Sequence, residues 1–204
     1  MSNLPATRTN FLKVKRSLVL AREGHQLLDE KRRILLNELT GLAAIVSRAE
    51  EELDRALEAA YKIVDQALVT MGRQKLEELS FAVGIKSDVR ISHHRLMGVD
   101  APAIQVEIQD HPPYFSPHQV SLYVDQAIVA FKEILQMLGL VAEKKIALLR
   151  LIHEARRTIR KVRAIEKVHL PALEENLKSI GDRLDEELRE SFSVLKLLKE
   201  RGKG

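Results

Sequence analysis

From Phe11 to Ala67 the apolar side chains of this 204-residue chain recur in alternating steps of three and four. The positions are Phe11, Val14, Leu18, Ala21, His25, Leu28, Arg32, Leu35, Leu39, Leu42, Val46, Ala49, Leu53, Ala56, Ala60, Ile63 and Ala67, and only His25 and Arg32 among them are polar. A 3.5-residue period held this long predicts a coiled-coil helix, one whose stripe faces a single partner along its length. No proline falls between Pro5 and Pro102. Isolated Gly24, Gly41 and Gly72 weaken such a helix without ending it. Residues 10–79 would then span roughly 105 Å as a rod.

Composition supports a long helical pair over a globule. Apolar residues make up 45% of the chain but aromatics only 4%, with no Trp, so the side chains that dominate compact cores are scarce. With no cysteine, disulfides and thiolate chemistry are excluded, which fits a reducing cytosol. "MSNLPATRTN" lacks the apolar run of a secretion signal. No stretch approaches the ~18 consecutive apolar residues that a membrane-spanning helix needs. The formal charge of +4 permits an acidic partner without requiring nucleic acid.

The pattern changes after Ser80. In "VRISHHRLMGVDAPAIQVEI" two extended runs, Val89–Ile91 and Ile104–Ile108, flank "MGVDAPA" with turn-forming Gly98 and Pro102, which predicts a small β-hairpin. After the loop "DHPPYFSP", Ser116 and Pro117 suit an N-cap and first helical position. The expected organisation is a tip over residues 1–9, a first long helix over 10–80, a hairpin and loop region over 81–117, a second long helix over 118–200, and a tail over 201–204. The fold class is all-α dominated: a two-helix antiparallel coiled coil with a small β-hairpin region between the helices.

The second seam reads Val120, Val124, Ala127, Phe131, Ile134, Leu138, Val141, Lys145, Leu148, Ile152, Ala155, Ile159 and Val162, followed by Glu166 and His169. Pro171 then removes a backbone donor and crowds the preceding turn, so a bend is expected there. Leu173, Leu184 and Leu195 are spaced by eleven, as are Leu177 and Leu188, a period that relaxes a left-handed supercoil. Folding the two helices back on each other makes facing residue numbers sum to about 197. Phe11 then faces the region of Glu186, and Arg32 faces Ile165 and Glu166. Arg32 and Glu166, with His25 and His169 within two turns, are expected to form a polar layer that fixes register.

Other candidate chemistry is sparse. The chain has no GxxxxGK[ST] phosphate loop, no HExxH pair and no arguable Ser-His-Asp set, so no catalytic, cofactor-binding or metal residue is assigned. His93, His94, Asp110, His111 and His118 would need a tightly closed hairpin region to approach zinc geometry; solvent-facing loop histidines are the simpler reading. The cations Arg8, Lys13, Lys15, Arg16 and Arg22 are expected to be neutralised by the facing "DRLDEELRE" over residues 182–190. Arg156, Arg157, Arg160, Lys161, Arg163 and Lys167 stand against Glu166 alone, and the facing segment 29–42 is balanced. This unneutralised belt suits an acidic partner surface. A free-standing coiled-coil adaptor, binding acidic partners or nucleic acid through the belt, is the alternative; steep salt dependence would mark the latter, though stacking aromatics are few.

"PATRTNFLKVKRSLVLAREGHQLLDEKRRIL" resembles the opening of the D subunits of V-type and archaeal-type rotary ATPases, at Thr7, Arg8, Leu12, Lys15, Leu18, Ala21, Gly24, Leu27, Leu28, Lys31, Arg32 and Leu35. "RLMGVDAPAI" is similar to that family's hairpin signature at Met97, Gly98, Val99 and Pro102, and "RAIEKVHLPALEENLKSIGDRLDEELRESFSVLKLLK" to its second long helix, including Pro171, Leu173 and Glu174. Ala6 is a departure, separating Pro5 from Thr7. The resemblance implies a non-catalytic central-stalk rotor with no cofactor. Its chain ends would enter a ring of catalytic and regulatory subunits, and its hairpin end would meet the F subunit and the stalk subunit that couples to the membrane rotor ring. Its place would be cytoplasmic, associated with the membrane only through the complex.

Overall fold

The computed structural model describes residues 5–96, 98–116 and 120–201. The expectations placed on Met97, Pro117 and His118, and on residues 1–4 and 202–204 of the two ends, lie outside this set. The elements are α1 (Arg8–Met71), α2 (Arg73–Ala82), β1 (Lys86–Leu96), β2 (Val99–Gln109), α3 (Leu122–Ala164), a π-helical turn (Ile165–His169) and α4 (Leu170–Arg201). Two compact units share them: Met1–Ile34 with Ala155–Gly204, and Leu35–Glu154.

All seventeen seam positions of α1 are buried or half-buried, and Leu35, Ala60 and Ala67 are at most 1% exposed. The helix starts where a cap can form. The Asn10 backbone N–H donates to Thr7 Oγ1 at 3.2 Å, and the Asn10 side-chain amide donates to the Pro5 carbonyl at 2.9 Å, supplying partners that a free helix start lacks. It stops at Gly72, where φ is +80°. A Cβ would be strained there, and the expectation that Gly72 leaves the helix unbroken is corrected.

In the 35–154 unit, α1 and α3 pair antiparallel around Leu53, Ala60, Ile134 and Val141, with Ala49, Ala56 and Phe131 packed beside them. The Tyr61 and Phe131 rings meet edge to face at 5.8 Å. The second helix begins four residues later than the sequence suggested. Ser121, not Ser116, caps it: Tyr123 N–H donates to Ser121 Oγ at 3.4 Å, and Thr70 Oγ1 lies 3.3 Å from that hydroxyl. The start of α3 is thereby tied to the end of α1.

The β strands are longer than expected, eleven residues each. Leu96 pairs with Val99, and Ile91 with Ile104. Gly98 turns the chain at φ +77°, while Pro102 is a strand residue opposite His93, not part of the turn. It is tolerated because its missing N–H lies on the side away from β1, the side on which Ile104 donates to Glu143 Oε2 at 2.7 Å. The hairpin lies along α3. Lys132 bonds Asp110, Gly139 receives Val106, and Arg150 donates to both the carbonyl and the carboxylate of Asp100 at 2.8 and 2.9 Å.

That docking explains where the second seam departs from expectation. Leu138 and Lys145 are exposed, while Leu151 (0%) and Thr158 (2%), which lie outside the expected pattern, are buried. Ile152 and Ile159 are only half-buried. A helix that packs on a partner helix and also on a hairpin buries two stripes, and a single 3-4 pattern cannot mark both.

Candidate functional site

The unit formed by residues 1–34 and 155–204 holds the polar seam positions and the basic belt. Here α1 and α4 run antiparallel, set by an Arg22–Glu174 ion pair at 2.7 Å and by Phe11, whose ring lies 3.5 Å from where a Cβ on Gly181 would be. At Glu174 the observed register agrees with the expected one to within a residue. At the tip Phe11 meets Gly181, about a turn and a half short of Glu186.

Between Leu151 and Leu184 the buried or half-buried stripe is Leu151, Ala155, Thr158, Val162, Ile165, then Leu170, Leu173, Leu177, Ile180 and Leu184. Every step is three or four residues except one, the five from Ile165 to Leu170. There the Leu170 N–H donates to the Ile165 carbonyl in the π-helical turn. One extra residue is absorbed in that turn, as in the π-bulges that interrupt other long helices. Pro171, which has no N–H, leaves the Glu166 carbonyl without a backbone donor from its own helix, since Leu170 is already engaged.

This turn decides the fate of the expected polar layer. Continuing steps of four and three from Val162 would place Glu166 and His169 inward; the π-helical turn puts Ile165 and Leu170 there, and Glu166 and His169 are exposed. Arg32 finds its carboxylate within its own helix: Arg32 to Asp29 Oδ1 is 2.6 Å, and Arg33 takes Asp29 Oδ2 at 3.2 Å. The structure therefore does not bring Arg32 and Glu166 together. His25 and Arg32 stay half-buried in the α1 seam, and His25 Nε2 and Arg32 Nε are buried with no hydrogen-bond partner among the described residues. A single continuous period could not reveal the turn; the clue lay in the eleven residues from Val162 to Leu173, four more than one heptad.

The belt stands beside the turn. Arg156, Arg157, Arg160, Lys161, Arg163 and Lys167 are all exposed. Arg156, Arg160 and Arg163 fall at helical spacings of four and three on one face. Among the described residues no ion pair joins any of the six to a carboxylate. At the tip, Arg22 takes Glu174 instead of a carboxylate from 182–190, while Arg189 lies 4.0 Å from its own neighbour Glu186. The sequence reading also missed an apolar end: Leu188, Phe192 and Leu195 repeat at four and three on α4, and Phe192 is 69% exposed.

His93 Nδ1 is 3.2 Å from Asp100 Oδ2, which Arg150 also holds, and Asp110 is bonded by Lys132. Among the described residues, no three His, Cys, Asp or Glu side chains gather as a metal site would require. None of the described helices is long and apolar enough to cross a membrane.

Comparison with known proteins fits these features. The family model that describes the D subunits of ATP synthases matches residues 10–200. The chain belongs to the family of ATP synthase D subunits. It is 33% identical over 195 residues to the V-type ATP synthase D subunit of Thermotoga neapolitana, covering 96% of each chain. It is 34% identical over 196 residues to the A-type ATP synthase D subunit of Pyrococcus horikoshii, covering 95% of this chain and 92% of that one. With the A-type ATP synthase D subunit of Thermococcus kodakarensis the identity is 32% over 200 residues, 97% of this chain and 94% of the other. The family match runs over residues 10–200, from the first turn of α1 to the end of α4.

Proposed function

We propose that this member of the family is the central-stalk rotor of a V/A-type ATP synthase or ATPase, a non-catalytic shaft that couples ion-driven rotation to ATP synthesis or hydrolysis in a surrounding ring. The observation that carries the reading is the uncovered apolar end of α4. Leu188, Phe192 and Leu195 form a stripe that continues the seam of Leu173, Leu177, Ile180 and Leu184, yet α1 begins at Arg8 and the seam partner ends near Phe11. Large apolar side chains on an exposed stripe mark a surface meant for other chains, and a shaft end enclosed by ring subunits meets that need.

Three further assignments belong to this reading. The exposed belt, Arg156 to Lys167, meets acidic loops of the catalytic and regulatory ring subunits, where rotor angle and site closure are coupled. The hairpin end serves the F subunit and the stalk subunit that joins the membrane rotor ring. The half-buried His25 and Arg32, the latter held by Asp29, hinder register slip between the paired helices. A shaft alters affinities in the ring only through contacts that differ among its angular positions, and unequal faces such as the belt provide them.

Reconstitution tests the reading. Mixed with the purified ring subunits of the same complex, the full chain should join in a fixed ratio and make ATP turnover depend on its presence. The replacement Phe192→Asp with Leu195→Asp should abolish that assembly while leaving the free chain folded. Assembly unaffected by both charges would refute the assignment of the apolar end.

A further inference from the structure

We propose that the outward face of α1 from Leu12 to Ile34 docks an amphipathic helix of another chain, one whose apolar heptad seam is bordered by carboxylates. Leu12, Val19, Leu20, Leu27 and Ile34 are large apolar side chains that all stand exposed, Leu20 at 70% and Leu27 at 68%. Val19 follows Leu12 by seven residues, and Leu20, Leu27 and Ile34 repeat at seven again. At the helical step of about 100° per residue, the five fall within an arc of about 100°. That arc lies roughly opposite the seam of Val14, Leu18 and Leu28, so α4 does not cover it. A seven-residue repeat suits a partner that follows the helix turn by turn, as the second strand of a coiled coil does.

Charge sets the borders of that partner. On the same helical step Lys13 flanks the arc on one side, Lys15 on the other, and Arg16 falls inside it. All three are exposed, and among the described residues no ion pair joins any of them to a carboxylate. Glutamates bordering the partner's seam would complement these cations, as charged neighbours do across coiled coils. Gly24, beside the arc, has no atom within 4 Å of where a Cβ would stand, so a partner can come close to the α1 backbone there.

A basic amphipathic face also suits a lipid surface, and two carboxylates decide against that. Glu23 and Glu30 are exposed and fall inside the arc. Sinking this face into an anionic bilayer would bury both among the headgroups, at a desolvation cost and against the surface potential. A protein helix can set a cation against each. The surface is separate from the apolar end of α4 and from the belt, and its use does not depend on the rotor reading.

Two synthetic helical peptides of about four heptads, each with leucines along its seam, serve as probes. Glutamates border the seam in one, lysines in the other. Titrated into the full-length chain, the acidic peptide should bind at least tenfold more tightly than the basic one, and less tightly as salt rises. Leu20→Ala combined with Leu27→Ala should weaken the acidic peptide at least tenfold. These exposed changes should leave the melting temperature of the chain nearly unchanged. Phe192→Ala combined with Leu195→Ala, on the apolar end of α4, should leave that affinity as it was. An acidic peptide that fails to bind, that binds no better than the basic one, or that survives the α1 alanines overturns the docking surface. Loss of binding with the α4 alanines overturns it too, by moving the contact to the other helix. Phosphatidylserine vesicles that capture the native chain but not the Leu20→Ala, Leu27→Ala chain would give the face to a membrane and overturn the helix as its occupant.

Discussion

Two single positions show how local chemistry positions larger parts. Gly139 is buried, and a Cβ there would come within 2.4 Å of Val106 Cγ2 on β2. Gly139→Val should push the hairpin off α3 and cost about 1–3 kcal/mol, the usual penalty of overpacking. Thermal unfolding would show the loss, and faster amide exchange in Val99–Gln109 but not in α4 would locate it. Lys145 offers a pH prediction. Its ammonium lies 2.6 Å from Glu50 Oε1, and the hydrogen bond and charge of that carboxylate raise its pKa above the ordinary 10.5. A raised folded-state value means the contribution is fully present below 10.5 and fades as pH rises through the folded value. The stability difference between the native chain and Lys145→Gln should therefore stay constant from pH 7 to pH 9 and vanish at higher pH. Because the lysine is exposed, that difference should be small and should shrink in high salt.

The helices are long because their seams are long, and they break where the backbone demands it. Gly72 adopts φ +80° and ψ 156°, a region that essentially only glycine occupies, so Gly72→Ala should destabilise the protein by about 1–3 kcal/mol or fuse α1 to α2. Circular dichroism and thermal melts separate those outcomes. The π-helical turn gives a sharper test of element logic. Removing one residue there, Lys167, converts the five-residue step into four and restores the period. Removing the exposed Lys178 instead throws Ile180 and Leu184 out of phase with α1. The first deletion should lower the melting temperature by no more than the clash of Pro171 with the preceding turn, about 3 kcal/mol, and the second by more, since each misplaced seam residue forfeits apolar burial of roughly 1.5–3 kcal/mol.

At the scale of the molecule, the surface carries the functional reading. Exposed substitutions away from caps and seams change stability by about 0.5 kcal/mol or less, so Arg156→Glu, Arg157→Glu and Arg160→Glu together should leave the melting temperature of the free chain nearly unchanged. In the reconstituted complex the same reversal should lower coupled ATP turnover at least several-fold while assembly persists. Turnover and torque equal to the native complex would remove the belt from the mechanism.

The antiparallel pairing and the seventeen-position seam of α1 were legible in the residues, because a period of 3.5 sustained over many turns admits one kind of partner and one face; the family was legible only through the resemblance of its opening, hairpin and second-helix motifs. The hairpin was visible too, although its strands outran their apolar cores, since the residues next to the turn include polar ones such as Asp100, which Arg150 of α3 holds. The exact phase of the second seam, the π-helical turn and the fate of Glu166 and His169 were decided only in three dimensions. A helix touching two partners divides its apolar residues between two stripes. An eleven-residue interval can be absorbed either evenly or at one turn, and the spacing of the apolar residues does not rank the two. That choice falls to packing against α1, which in this structure places Ile165 and Leu170 inside and leaves Arg32 to its neighbour Asp29.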